Sequence, residues 1–369
     1  MSYPKRQNTP LWTMEAIARK AGVSIKTVSR VVNREPGVNE ATRARIARII
    51  EEVGYHPHMG ARSMRGAAHD CIGVTITAPI PLVPLQEDFF VRLFSSLYRI
   101  FGERGQYICF DLNPYHPDGT GDYARGLFEG RFAACILCGP LSPGDTTVRR
   151  IHRSGRPYLV FGRLDSMPEC SSATVDVEAA MRMSIVHLLE RGHTRIGVLR
   201  GFHGYQPGVD RLRGYRKALE EAGIEPKDSL IQNVTFDAQV LSAAVHRLLI
   251  NRSVTALVDA SGAEDAASIR EGCRRAGRTP GTDVEIVDWT YTDGAAPLRD
   301  ACAHVWLPVW QAAVDGLEEL ARWFDGERDG PVQVLYPPTL SASRTTTSEL
   351  RPQRLFDLAG NCISLADSV

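Results

Sequence analysis

Five polar side chains within eight residues could do chemistry on another molecule: Lys26, Thr27, Ser29, Arg30 and Asn33. A helix turns about 100° per residue, and on that wheel Lys26, Arg30 and Asn33 share one side, with Ser29 and Thr27 flanking them. Val28, Val31 and Val32 fall nearly opposite. Lys and Arg can donate to O6 and N7 of guanine, while Asn and Ser can reach phosphates or base edges. Two cations alone fit the solvated face of an ordinary helix. What outweighs that reading is the unbroken run from Ala18 to Asn33, A-R-K-A-G-V-S-I-K-T-V-S-R-V-V-N.

Such a face needs elements to hold it. Thr13 can cap a first helix, and Glu15 places a negative charge in its first turn. Met14, Ile17, Ala18 and Ala21 recur at three- and four-residue spacing, so that helix has one apolar face. Gly22 can take the positive φ of a sharp reversal, and Ser24 is placed to cap the second helix. After a loop over residues 34–38, Asn39 caps a third helix, whose Ile46, Ile49, Ile50 and Val53 point inward. Val28, Val32, Val38 and Ile17 are the natural partners of that stripe.

The chain has 369 residues and a formal net charge of +0, which by itself argues for no nucleic-acid partner. The average hides an asymmetry. Residues 1–66 carry 12 Lys plus Arg against 5 Glu and no Asp, which leaves 31 basic and 38 acidic residues for the rest. A cationic end on an acidic body fits a DNA-reading unit joined to one that does not touch DNA. No apolar run is long enough to cross a bilayer, and the polar start does not read as a signal peptide. Cys135-Ile-Leu-Cys138 has CxxC spacing but lies in an apolar strand with no second pair, so packing is its role rather than zinc or redox chemistry. Free thiols without an export signal imply a cytoplasmic protein. There is no phosphate-cradling Gly loop, no Gly-x-Ser-x-Gly elbow and no metal-ligand cluster, and His187 and His193 have no nucleophile placed beside them. The expectation is therefore a non-enzyme with no cofactor and no bound metal.

From Cys71 onward strands and helices alternate. A strand at Cys71 leads to a helix over 88–104, a strand over 107–111, a helix over 123–129, a strand over 133–137, a helix over 147–154 and a strand over 158–161. A second series runs from helix 178–191 through strands at 195–199, 229–233, 256–259 and 285–289, with helices over 209–222, 240–249 and 264–276 between them. This alternation implies parallel sheets flanked by helices. Two series imply two lobes, with a cleft beyond the carboxyl ends of their strands.

The run from Thr13 to Asn33 resembles the DNA-binding headpiece of the LacI/GalR family of bacterial transcription regulators. Tyr55-His-Pro-His-Met-Gly-Ala-Arg-Ser-Met-Arg65 is similar to that family's hinge. So are Leu188-Leu-Glu-Arg-Gly-His-Thr-Arg-Ile-Gly-Val, Arg211-Leu-Arg-Gly-Tyr, Phe89-Phe90, Phe161-Gly-Arg163 and the Ser-Arg-Thr that closes 335–345 to their family counterparts. The resemblance covers residues 12–346. It implies an all-α helix-turn-helix headpiece joined to a two-lobed α/β core like the periplasmic binding proteins. The domains would be a flexible arm over 1–11, a headpiece over 12–57, a hinge over 58–67, a core over 68–346 split near 173 with return crossovers near 307 and 333, and a tail over 347–369. Ile25, Lys26 and Arg30 would then face base edges, and Ser24, Thr27, Ser29, Asn33 and Asn39 would hold phosphates. Ala61 and Met64 would enter the minor groove, Met64 standing where the family has a Leu wedge. In the cleft Phe90 would stack on an effector, with Arg163, Asp176 and Arg211 hydrogen-bonding to it. The implied function is a repressor that binds a near-palindromic operator on double-stranded DNA as a homodimer, under control of a sugar or related metabolite, with no membrane partner.

Several family positions are missing. Val177 replaces an Asn, Gly262-Ala263 replace an Asn-Asp pair, Asp288-Trp-Thr-Tyr291 replaces Gly-Tyr-Asp-Asp, and Leu307-Pro308 replaces Gln-Pro. Polar contacts from the second lobe are thus depleted, and Trp289 is expected to offer an aromatic face instead. The alternative reading is a cytoplasmic solute-binding sensor with weak or vestigial DNA binding and a degenerate cleft.

Overall fold

The computed structural model describes residues 12–33, 35–55, 71–77, 87–111, 122–291 and 298–342, together with strands at 355–356 and 362–363; side chains are described from Val91 onward in the third of those helical segments. The expected arm, the hinge with Ala61 and Met64, and most of the tail lie outside the described residues. The chain divides into two units, Met1–His69 and Asp70–Val369.

In the first unit, α1 (Met14–Ala21), α2 (Ile25–Val32) and α3 (Glu40–Val53) form the three-helix headpiece. Each starts on the expected cap: Thr13 Oγ1 accepts from the Ala16 amide at 3.2 Å, Ser24 Oγ from Thr27 at 3.2 Å and Asn39 Oδ1 from Thr42 at 2.8 Å. Gly22 ends α1 at φ 63°, a left-handed conformation that costs a residue with a Cβ. Ile17, Val28 and Ile46 are all at 0% exposure. They anchor a core completed by Ala18, Ala21, Val31, Ile49 and Tyr55.

In the second unit, the first lobe's sheet is built from β1 (Cys71–Ile76), β2 (Tyr107–Asp111), β3 (Ala134–Cys138), β4 (Tyr158–Phe161), β5 (Ser172–Val175) and β11 (Gln333–Tyr336). Their spatial order is β11-β5-β4-β3-β1-β2, and every pairing is parallel. The second lobe's sheet has β6 (Ile196–Arg200), β7 (Ile231–Asn233), β8 (Ala256–Ala260), β9 (Glu285–Thr290), β10 (Ala303–Trp306) and β12 (Thr339–Ala342) in the order β12-β10-β9-β8-β6-β7. Only β12 runs antiparallel to its neighbour in that sheet. Helices cover both faces: α4 (Glu87–Leu97), α5 (Arg125–Phe128), α6 (Thr147–Arg153) and α11 (Val309–Phe324) on the first lobe, and α7 (Val177–Glu190), α8 (Gln206–Glu221), α9 (Ala238–Leu249) and α10 (Ala266–Arg275) on the second. α7 and α8 pack closely because Gly214 has no side chain: a Cβ there would lie 2.3 Å from the Glu178 carbonyl oxygen.

The structure corrects several expected boundaries. The helix expected over 88–104 ends at Leu97 and continues as one π-helical turn, Tyr98–Gly102. The expected helix over 123–129 shrinks to four residues, 125–128. Strands β5 and β10 were not anticipated, because Ser-Ala-Thr-Val and Ala-His-Val-Trp are short and broken by polar residues that the fold buries. With β5 in the first sheet, the chain passes to the second lobe after Val175. It returns to the first lobe at Leu307 and crosses again between β11 and β12 at Pro337-Pro338.

Because Val28 is sealed between α1 and α3, Val28→Asp would put an unpaired charge into a very small core, at a cost of several kcal/mol. The expected outcome is loss of the headpiece's helical circular-dichroism signal and rapid proteolysis within 12–55, while the core still melts cooperatively. A protease-resistant headpiece in this variant would overturn the assignment of faces.

Candidate nucleic-acid interface and interlobe cleft

α2 presents the two sides read from its sequence. Val28 and Val31 are buried, while Ser24, Ile25, Lys26 and Asn33 are exposed and Thr27, Ser29 and Arg30 half-buried. Neither Lys26 nor Arg30 makes an ion pair with any described residue, whereas the nearby Lys20 ammonium lies 3.1 Å from Glu52. The Arg30 side chain runs beside Gly37, where a Cβ would come 3.7 Å from Nη1. Ser24 and Asn39 already spend one acceptor on their helix caps. The Ser24 hydroxyl also meets Thr27 Oγ1 at 2.9 Å, but among the described residues the Asn39 amide nitrogen donates to none. Asn33 Nδ2 points toward Ser29 Oγ and Glu35 Oε1, each at 3.4 Å, long enough to exchange for a phosphate. The arrangement is a row of donors on an exposed helix face, backed by valines.

In the core, the carboxyl ends of the two sheets bring the cleft residues together differently from expectation. Arg163, just after β4, donates from Nε and Nη2 to both oxygens of Asp210 on α8, at 3.1 and 2.7 Å, and from Nη1 to Asp165 at 2.7 Å. Asp176 caps α7 by accepting from the Ala179 amide at 2.8 Å. Arg211 is 2% exposed. Its Nε donates to the Ala260 carbonyl at 2.9 Å, Nη1 to the Pro207 carbonyl at 3.0 Å and Nη2 to the Tyr291 hydroxyl at 2.9 Å. Its guanidinium lies over both the Phe202 and the Trp289 ring, at 5.0 and 5.2 Å from the centroids. The Phe90 side chain lies outside the described residues.

Trp289 is a correction. Its indole is 2% exposed, belongs to the second lobe's core and donates from Nε1 to Ser184 Oγ at 2.9 Å. Strand alternation sends it to the α7–α8 side of the sheet, where it supports Arg211 from behind instead of lining the cleft. The aromatic faces near the cleft come from residues the sequence reading missed. Phe202 and Phe236 meet edge to face at 5.5 Å, and Tyr205 packs onto the first lobe's core. Phe202 adopts a left-handed φ of 57°, a strained choice for a residue with a Cβ. The Gly201 and Gly204 that flank it were the sequence signal of an unusual turn.

Asp259 and Asp288 are the second surprise. They are register partners on β8 and β9, and both are buried. Asp259 Oδ1 accepts from the Ser261 amide at 3.0 Å and Asp288 Oδ2 from the Leu298 amide at 2.9 Å, with the His304 imidazole 3.6 Å from Asp288. Burial, and then the charge of Asp288, pushes the Asp259 carboxyl up from the usual carboxylate range. Among the described residues no group of three His, Cys, Asp or Glu could hold a metal ion.

With Asp259's folded pKa above its unfolded one, its contribution to stability is full at pH below about 4 and is lost as pH rises through the folded value. Asp259→Asn cannot ionise and keeps an oxygen for Ser261. The melting-temperature advantage of Asp259→Asn over the unaltered chain is expected to grow from pH 5 to pH 8 in parallel thermal melts; a difference that stays constant would contradict the burial argument.

Residues 13–58 match a family described as "Bacterial regulatory proteins, lacI family", and residues 185–346 match "Periplasmic binding protein-like domain". The HTH-type transcriptional regulator CelR of Thermobifida fusca is 31% identical over 329 residues, 88% of this chain and 95% of CelR. A solved CelR–cellobiose complex superposes with a TM-score of 0.61 at 25% identity, over 90% of this chain and 98% of that one. A lac repressor dimer bound to operator and the anti-inducer ONPF gives a TM-score of 0.70 at 21% identity, over 91% and 99%, a likeness of fold.

Proposed function

This chain belongs to the LacI family of bacterial regulatory proteins, and from that premise we propose that it represses transcription by binding a near-palindromic operator as a homodimer. The observation that carries the proposal is the face of α2, with Lys26 and Arg30 unpaired among the described residues and held outward by Val28 and Val31. A solute sensor with a vestigial headpiece would have no need of that face, nor of a cationic N-terminal unit. Ile25, Lys26 and Arg30 read base edges in the major groove, while Ser24, Thr27, Ser29, Asn33 and Asn39 hold the backbone. Ala61 and Met64 belong to the minor-groove contact.

A headpiece this small binds weakly alone, so two must act together. The surface suited to pairing lies on the first lobe. Val91, Phe94 and Tyr98 are 62, 51 and 68% exposed at helical spacing, and Tyr107 is 64% exposed on the edge strand β2 beside them. Exposed large apolar groups clustered this way mark a protein contact, and a second copy of the chain presenting the same patch satisfies a twofold interface.

The cleft is the effector site of this reading, with Arg163, Asp176 and the Phe202–Phe236 pair as its contacts. A sugar is the first class to test, given that the structural neighbour CelR is recorded with cellobiose. An aromatic pair can stack on a sugar ring where second-lobe polar groups are spent on Arg211. The described helices include none long and apolar enough to cross a membrane, and the family is one of regulators, which fits a non-enzyme acting in the cytoplasm.

Replacing both Lys26 and Arg30 by Ala is expected to weaken binding to a selected operator fragment on the order of 100-fold and to flatten discrimination between sequences, while Lys20→Ala changes it far less. Selective gel-shift binding that survives the double change would refute the proposal. For the interface, Val91→Asp combined with Tyr98→Asp should convert the dimer to a monomer in sedimentation equilibrium. A dimer unchanged in mass would place the contact elsewhere.

A further inference from the structure

The two lobes are joined at the cleft by their own side chains. From the first lobe come Arg163 and Asp165, in the loop after β4, and the carbonyl of Leu141. From the second come Gln206, Asp210 and Arg213, in the first turns of α8, and Glu178 on α7. Asp210 is the centre, with its carboxylate 4% exposed. It receives both Arg163 bonds from across the cleft, a third from Gln206 Nε2 at 2.9 Å, and has the Arg213 guanidinium 3.5 Å away. Arg213 reaches back across to Asp165 and also donates to Glu178 at 3.1 Å. The backbone closes the same seam: the Gln206 amide donates to the Leu141 carbonyl at 2.8 Å, and the Asp165 amide meets Gln206 Oε1 at 3.4 Å.

We infer that this network is a clamp that holds the lobes closed with no small molecule bound. A bidentate guanidinium–carboxylate pair fixes both distance and orientation. Its two halves sit on different lobes, so opening the cleft breaks it. Alternating charges, Glu178–Arg213–Asp165–Arg163–Asp210, let each guanidinium face carboxylates on both sides, so no single pair bears the closure alone. The sequence reading assigned Arg163 to the effector, and here its donors already have acceptors. An effector that takes those donors displaces Asp210 and therefore opens the seam it enters. That regulatory consequence rests on the effector-gated reading above, whereas the closure itself does not.

Hydrogen exchange of the Gln206 amide reports the seam directly, because its acceptor lies on the other lobe. The experiment uses the full-length chain with no DNA or ligand present, so its outcome is independent of operator binding. In the unaltered chain this amide is expected to be protected. In Arg163→Ala, where a buried carboxylate loses its cross-cleft partner, exchange at Gln206 should accelerate at least tenfold, while amides in α9 keep their protection. Asp165→Asn, at a more exposed position, should accelerate it severalfold. Gln206 exchange that stays within twofold of the unaltered chain in both variants, or an unprotected Gln206 in the unaltered chain, overturns the clamp.

Discussion

The headpiece depends on one constraint: an eight-residue helix must bury one face in a core of eight side chains. Ile17, Val28 and Ile46 leave no room for rotation of α2, because turning the helix by one residue would move Val28 out and a polar neighbour in. The valines thus decide where Lys26 and Arg30 point. Propensity contributes little, since an isolated helix of this length is marginal in water. The caps at Thr13, Ser24 and Asn39 fix where each helix begins, and Gly22 fixes the reversal between the first two. The same burial that stabilises the unit therefore orients its cations.

The cleft obeys a different economy. Charged groups there are buried enough to need partners, and the chain supplies them internally. Arg211 finds two carbonyls and a tyrosine hydroxyl, and Arg163 finds Asp210. Asp210 itself is pushed above the ordinary carboxylate range, chiefly by its burial and despite Gln206 and Arg163. A buried carboxylate in that condition is stable only while its donors stay in place. The departures of this sequence from its family at 262–263 and 288–291 fall in the same region as these internal pairings. Tyr291 stands where the family has an Asp, and it accepts a bond from Arg211.

Much of this was legible in the residues. The two-faced α2, its caps and the alternation of strands and helices follow from spacing and composition, which act locally. The strands Ser172–Val175 and Ala303–Trp306 were not, because their burial is imposed by neighbours distant in the chain. Trp289 was misplaced for a related reason. Its side of the sheet depends on strand register, and one residue of offset reverses the side. Asp210 and the Asp259–Asp288 pair carry no local pattern, and the glycines flanking Phe202 signal only a turn, not its partners. Their roles come from contacts with partners such as Phe236 for Phe202 and Arg163 for Asp210, or from adjacency of strands, which only the fold supplies.

The three passages of the chain between lobes have a consequence for how the molecule is made. The first sheet receives β11 only after every strand of the second lobe but β12 has been synthesised. Until then the outer edge of β5 has no neighbour, and an open strand edge is a template for wrong pairing. On the ribosome, then, the first lobe waits half-finished through the translation of its partner. Neither lobe corresponds to a contiguous piece of gene: the first is interrupted by β6 to β10, and the second by α11 and β11.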